Sequence, residues 1–169
     1  MTVPRALGSG AGVLAASLLA FSAVGAVWGL LRPAYHGTLT ADGNLLLDTS
    51  FNVEFISYIT FVAATGLLAT IIALSSFILV PESRGPGMVW WLVVVAGVSA
   101  MAFLAVGQVT SSLHFPAPDV DALAEGSAVA IVPSLTPGVG LIAAPFMAAL
   151  AYWCSVLVTP DLDDDLLAA

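Results

Sequence analysis

The run VEFISYITFVAATGLLATIIALSSFILV (residues 53–80), followed at once by PESRGPG (81–87), decides the fold. It holds one charged side chain, Glu54, in the first turn, where a carboxylate meets the positive end of a helix dipole. A hydrocarbon core about 30 Å thick is crossed by about 20 apolar residues in a helix, so this stretch is long enough to span a membrane. Pro81 has no amide proton with which to continue the helix. The link that follows is too short and too rich in breakers to hold structure of its own. Residues 88–113 are apolar again, so the chain turns straight back and spans two and three form a tight antiparallel hairpin.

Working outward, residues 7–31 and 138–158 satisfy the same length requirement. The expected fold class is an all-α membrane protein with four transmembrane helices as two antiparallel hairpins, all in a single integral membrane domain covering residues 1–169. Two longer loops, 32–52 and 114–137, lie on one side and are expected to be ordered; an acidic tail, 159–169, closes the chain. The first span is flanked by Arg5 and Arg32, which can snorkel to opposite interfaces. Arg5 and the small residues Ser22 to Ala26 resemble a secretory signal, but the apolar run exceeds the usual 7–15 residues, so the span is expected to be uncleaved.

Composition agrees. The chain of 169 residues is 60% hydrophobic and 8% charged, against about 45–50% and about 25% in ordinary globular domains. Three arginines, no lysine and eleven carboxylates give a net charge of -8. So few cations cannot neutralise a phosphate backbone, which excludes nucleic acid as a partner. Cys154, alone and inside the last span, makes neither an internal disulfide nor a thiol metal site, and reads as a small inert hydrophobe.

Orientation follows from the arginines. Both termini share a side with the 81–87 link, which gives that side Arg5 and Arg84 against Arg32 opposite. The positive-inside rule then puts both termini in the cytoplasm of a cell membrane. Asp42, Asp48, Asp119, Asp121 and Glu125 fall in the outer loops. Trp90, Trp91, Tyr152 and Trp153 are expected to form an aromatic belt at one interface, with Trp28 and Tyr35 at the other.

The outer loops resemble each other. Pro33-Ala34 and Asp42-Gly43 recur as Pro116-Ala117 and Glu125-Gly126, 83 residues later, each after an odd-numbered span. Coincidence in a chain rich in Pro, Ala and Gly stands equally against duplication. A duplication would relate the halves by a pseudo-twofold axis along the membrane normal. Asp42-Gly43 between two strand-like runs predicts a β-hairpin. Residues 118–125 read as two helical turns and 128–132 as an extended apolar run. These apolar loop segments should pack on each other, on head groups or on a partner.

Candidate chemistry is sparse. His36 and His114 fall at the outer ends of odd spans, but no span carries an interior histidine of the kind that ligates haem in a bundle. No cofactor and no metal site is expected, and no catalytic residue. At core depth there is no Asp, Glu, Lys or Arg. Gln108 is the largest intramembrane polar residue, accompanied by Ser17, Ser22, Thr60, Thr65, Thr70, Ser75, Ser76 and Ser99. Such hydroxyls mostly bond back to their own helix or to a neighbour. Small residues at four-residue spacing, Gly25 with Gly29, Ala96 with Ala100 and Ala144 with Ala148, let helix backbones approach closely, within the bundle or against a partner.

Arg32-Pro33-Ala34, Ala41-Asp42-Gly43, Arg84-Gly85-Pro86-Gly87 and Ala144-Pro145 together resemble a group of small four-span actinobacterial membrane proteins of unknown function. The resemblance covers most of the chain and implies architecture and origin. The absence of lysine with excess aspartate suits a halophile equally, so origin stays open. Some small four-span actinobacterial proteins are accessory subunits of the respiratory assembly that joins cytochrome bc and cytochrome oxidase, and the chain looks like that broad type. The implied function is a non-catalytic accessory subunit whose partners are other integral membrane subunits and lipids. The alternative is a small transporter or lipid-handling protein with a cavity between the hairpins, lined by Gln108 and the span-two hydroxyls. An outer-face enzyme using Asp119, Asp121 and His114 is the weakest reading, because nothing organises these groups.

Overall fold

The computed structural model describes residues 5–40, 44–116 and 126–159. Four helices are long and apolar enough to cross a membrane. They are α1 (Arg5–Leu31), α2 (Val53–Leu79), α3 (Pro86–His114) and α4 (Ala143–Val158). The chain is a multi-pass all-α membrane protein with one small sheet.

Boundary residues account for the helix ends. The Asn52 side chain accepts a hydrogen bond from the Phe55 amide and so caps α2. Val80 closes α2 before Pro81, and Pro81–Ser83 forms a single 3₁₀ turn. Arg84 Nε donates to the Phe77 carbonyl at 3.1 Å, satisfying one of the unpaired acceptors at the end of α2. Gly85 then takes φ 149°, a region that favours glycine, and Pro86 starts α3 with the φ a first turn requires. The fourth span starts as a 3₁₀ helix, Gly138–Ile142, before α4. Pro145 explains this, because its missing N–H cannot extend a regular α ladder back through Leu141.

Every helix buries a stripe at near four-residue spacing, which a 3.6-residue period keeps on one face. On α1 the stripe is Ser17, Phe21, Gly25, Gly29 and then Arg32 just past the helix. On α2 it is Val53, Ser57, Phe61, Thr65, Ala69, Ala73 and Phe77; on α3, Met88, Leu92, Ala96, Ala100, Phe103, Gly107 and Ser111; on α4, Ala144, Ala148 and Tyr152. Trp28, Phe61 and Phe103 meet in the core with ring centroids 5.4–6.2 Å apart.

Successive helices alternate in direction, but the closest partners are not neighbours in sequence. The most extensive contact joins α1 to α3, then α2 to α4, then α3 to α4. Although α2 and α3 are linked by a short turn, they touch only slightly, so the tight hairpin expected of spans two and three is replaced by pairing with the next helix but one. The physical reason is shape: the small residues of α1 admit the backbone of α3, whereas α2 and α3 each direct their stripe to another helix. The two halves are not packed alike, since α3 and α4 touch more extensively than α1 and α2. A regular offset nonetheless persists, since Leu31 and His114 end α1 and α3, and Leu45 and Ala128 begin β2 and β3, each 83 residues apart.

At the end where α1 and α3 finish, a three-stranded antiparallel sheet closes over the bundle in the order β2 (Leu45–Leu47), β1 (Tyr35–Leu39), β3 (Ala128–Ile131). Gly37 faces Leu47 on one side and Val129 on the other. The hairpin in loop one and the extended run in loop two thus occur as expected, and the two loops cover each other. The turn residues 41–43 and the segment 117–125, with Asp42, Asp119, Asp121 and Glu125, lie outside the described residues, as does most of the acidic tail.

Candidate functional site

The small-residue pairs serve the interior of the bundle. A side chain at Gly25 would collide with the Phe103 backbone, and one at Gly29 with the Gly107 backbone. Ala96, Ala100, Ala144 and Ala148 are all buried. Between α1 and α3 the Ser17 and Ser99 hydroxyls share a hydrogen bond of 2.9 Å, and the Trp91 indole donates to the Gly10 carbonyl. The remaining hydroxyls mostly satisfy their own helix, as Thr60 does to Ile56, Thr65 to Phe61 and Thr70 to Gly66.

Two belt residues are corrected. Trp28 is buried and donates its indole N–H to Thr60 Oγ1 at 3.0 Å. Tyr152 is buried edge-on against Phe77, its hydroxyl accepting from the Gly85 amide. Both lie on inward stripes, which outweighs the interfacial preference of their rings. Trp90 and Trp153 remain exposed. Cys154 also faces outward.

The largest departure is Arg32. Far from snorkelling to water, it is 5% exposed and lies beneath the sheet. Its Nη2 donates to the Pro133 carbonyl at 2.6 Å, its Nε lies 3.5 Å from Ser57 Oγ, and its Cζ sits 5.0 Å from the Trp28 ring centre. Burial lowers its pKa from the usual value, but a guanidinium stays protonated. None of these partners is a carboxylate.

Beside Arg32 is a cavity of about 420 Å³ between the end of α3 and the strand that leaves β3. Gln108 is on its wall and donates Nε2 to the Leu135 carbonyl at 2.6 Å. Gln108 therefore sits near the sheet end of its helix and holds the loop down. Ser111 is also on the wall, and its buried Oγ has no hydrogen-bond partner. The cavity differs from the one expected between two hairpins, since Thr65, Thr70 and Ser76 do not line it. A second cavity, about 540 Å³, lies at the opposite end among Ser9, Leu14, Glu82, Met88 and Trp91.

The histidines stay apart in role. His36 is exposed on β1, its carbonyl accepting from the Asp48 amide, and His114 is exposed against the Phe115 ring. Among the described residues, no cluster of three metal-ligating side chains occurs. Asp48 accepts from the Ser50 amide at 2.9 Å, and this bond, with the nearby His36, holds its carboxyl below the usual range.

Nothing in the sequence reading singled out Arg32 or Ser111 as site residues. The available signal was their position: each is the next rung of a buried stripe, after Gly29 and after Gly107. Comparisons of the chain with protein-family models, with curated proteins and with solved structures find no match.

Proposed function

We propose that the chain is a non-catalytic accessory subunit that docks laterally on larger integral membrane proteins. The first assembly to test is the actinobacterial respiratory complex of cytochrome bc and cytochrome oxidase, with the chain in the cell membrane and both termini cytoplasmic. The observation that carries this reading is the division between small and large residues. Gly25, Gly29, Ala96, Ala100, Ala144 and Ala148 are all taken up by internal contacts, while Leu19, Leu67, Ile78, Phe146 and Leu157 face outward. The unit is thus packed before any partner arrives and offers broad apolar flanks to lipid or to another subunit. Its sheet adds main-chain groups along the free edges of β2 and β3, beside a Leu46 that is 66% exposed.

Hydroxyls bonded to their own carbonyls support a structural role over conduction, which needs polar groups facing a path. The test is purification of the tagged protein in mild detergent. Stoichiometric membrane subunits should co-migrate with it; a clean monomer without companions overturns the reading. Cysteine introduced at Thr40 should label from outside intact cells and cysteine at Ser83 should not, and the opposite pattern inverts the orientation.

The transporter reading draws on Gln108 at the cavity wall. It requires substrate flux into liposomes that Gln108→Leu abolishes, whereas an accessory subunit gives background flux in both forms.

A further inference from the structure

Among the described residues, Arg32 is a buried cation without a counter-ion. Its partners there are one carbonyl, one long hydroxyl contact and an aromatic face. Glu54 lines a neighbouring cavity with it but makes no ion pair to it. An uncompensated charge out of water is strongly unfavourable unless something neutralises it. On the wall of the same cavity stands Ser111, 2% exposed, with a hydroxyl that has no partner. A buried hydroxyl left unpaired is itself unfavourable. Both residues line one cavity, and the same thing would satisfy both: an oxyanion that accepts from the guanidinium and from the serine.

The other walls say what the anion is attached to. Among the described residues the lining contains no carboxylate, and Val109, Phe115, Ile131 and Val132 make most of it apolar. The cavity lies where α1 and α3 end, at head-group depth for helices of this length. We propose that this cavity binds the phosphate of an anionic phospholipid, with Arg32 and Ser111 as donors and the apolar wall against the glycerol and upper acyl segments. A zwitterionic lipid is disfavoured, since its quaternary ammonium would find no carboxylate among the described lining residues. Elsewhere the acidic chain, at net charge -8, offers such a lipid little attraction, so the site is a local one.

The test is native mass spectrometry of the full chain released from detergent, with phosphatidylglycerol, phosphatidylcholine or inorganic phosphate added. One phosphatidylglycerol should be retained saturably, at least about tenfold more tightly than phosphatidylcholine. Ser111→Ala should weaken it about tenfold, as loss of one hydrogen bond to a charged group predicts, with an unchanged unfolding midpoint in lipid-free detergent. Arg32→Gln should abolish retention; if that variant does not fold, Ser111→Ala alone decides. Equal retention of both lipids, binding that Ser111→Ala leaves intact, or saturation by inorganic phosphate without preference for the lipid would each overturn the proposal.

Discussion

Two regions of one helix pair, α1 against α3, are built on opposite terms. Through the middle the rungs Ser17 with Ser99, Gly25 with Phe103 and Gly29 with Gly107 bring backbones together until no side chain would fit at the glycines. One rung further on, the same stripes carry Arg32 and Ser111, which line a cavity of about 420 Å³ between the end of α3 and the segment after β3. Small residues give dense contact in the first region, and the proposed lipid site begins where that contact ends.

The comparison breaks most sharply at Gly29. Gly29→Leu would force a side chain onto the Gly107 backbone and should cost about 3 kcal/mol, read as a lowered unfolding midpoint in detergent. Gly12→Ala, on the same helix with open space around it, should stabilise by about 0.5–1 kcal/mol. Similar losses from both would mean that α3 does not lie on the Gly25–Gly29 face.

Trp28 joins the two regions, so its effect is intermediate. Trp28→Phe keeps the aromatic cluster but removes the N–H to Thr60 and weakens the face presented to Arg32. A loss of about 1–2 kcal/mol is expected in the same unfolding measurement. No change would return Trp28 to the interface, where its sequence position first suggested it.

Much of this contrast was hidden in the sequence for a definable reason. Span positions follow from length, and Pro81 marks the end of α2 through backbone chemistry that acts locally. The strands of loops one and two also follow from local pattern. Which helix meets which does not, because all four are apolar on every side and hydrophobic periodicity loses its meaning when the solvent is lipid. The small-residue spacing showed that backbones approach, but carried no address for the partner. Arg32 was assigned to water because it follows the last apolar residue of its span. Counting on from Gly25 and Gly29 would have placed it on the buried stripe instead. Tyr152, four residues from Ala148, was missed in the same way.

A smaller effect sharpens the dense region. In a double-mutant cycle, Ser17→Ala and Ser99→Ala should couple by about 0.6 kcal/mol, the usual value for a hydrogen bond between membrane helices. Additivity would show that the two hydroxyls bond elsewhere.

The smallest effect belongs to the sheet that covers the cavity. The Asp48 carboxyl is held below its usual pKa by the Ser50 amide and by His36. A depressed carboxyl contributes its stabilisation above the unfolded-state value, and that contribution is lost as pH falls through the lowered folded-state pKa. Asp48 is exposed, so its titration followed by NMR is the suitable readout. It should midpoint below that of an ordinary aspartate and return toward it in Ser50→Pro, which lacks the amide proton. An ordinary midpoint in the wild type contradicts the Ser50 bond.

The claim on which the rest depends is that α1 and α3 are immediate partners within one chain, so that the small residues are already occupied. Ser17→Cys with Ser99→Cys, in a Cys154→Ala background, tests it directly. The present Oγ to Oγ separation of 2.9 Å is short enough for a disulfide to close with little adjustment. Oxidation in the membrane should give a monomer with an internal cross-link, seen as a reducible mobility shift at any protein dilution. Cross-linked dimers that disappear on dilution, with no internal product, would place the seam between chains and contradict the account.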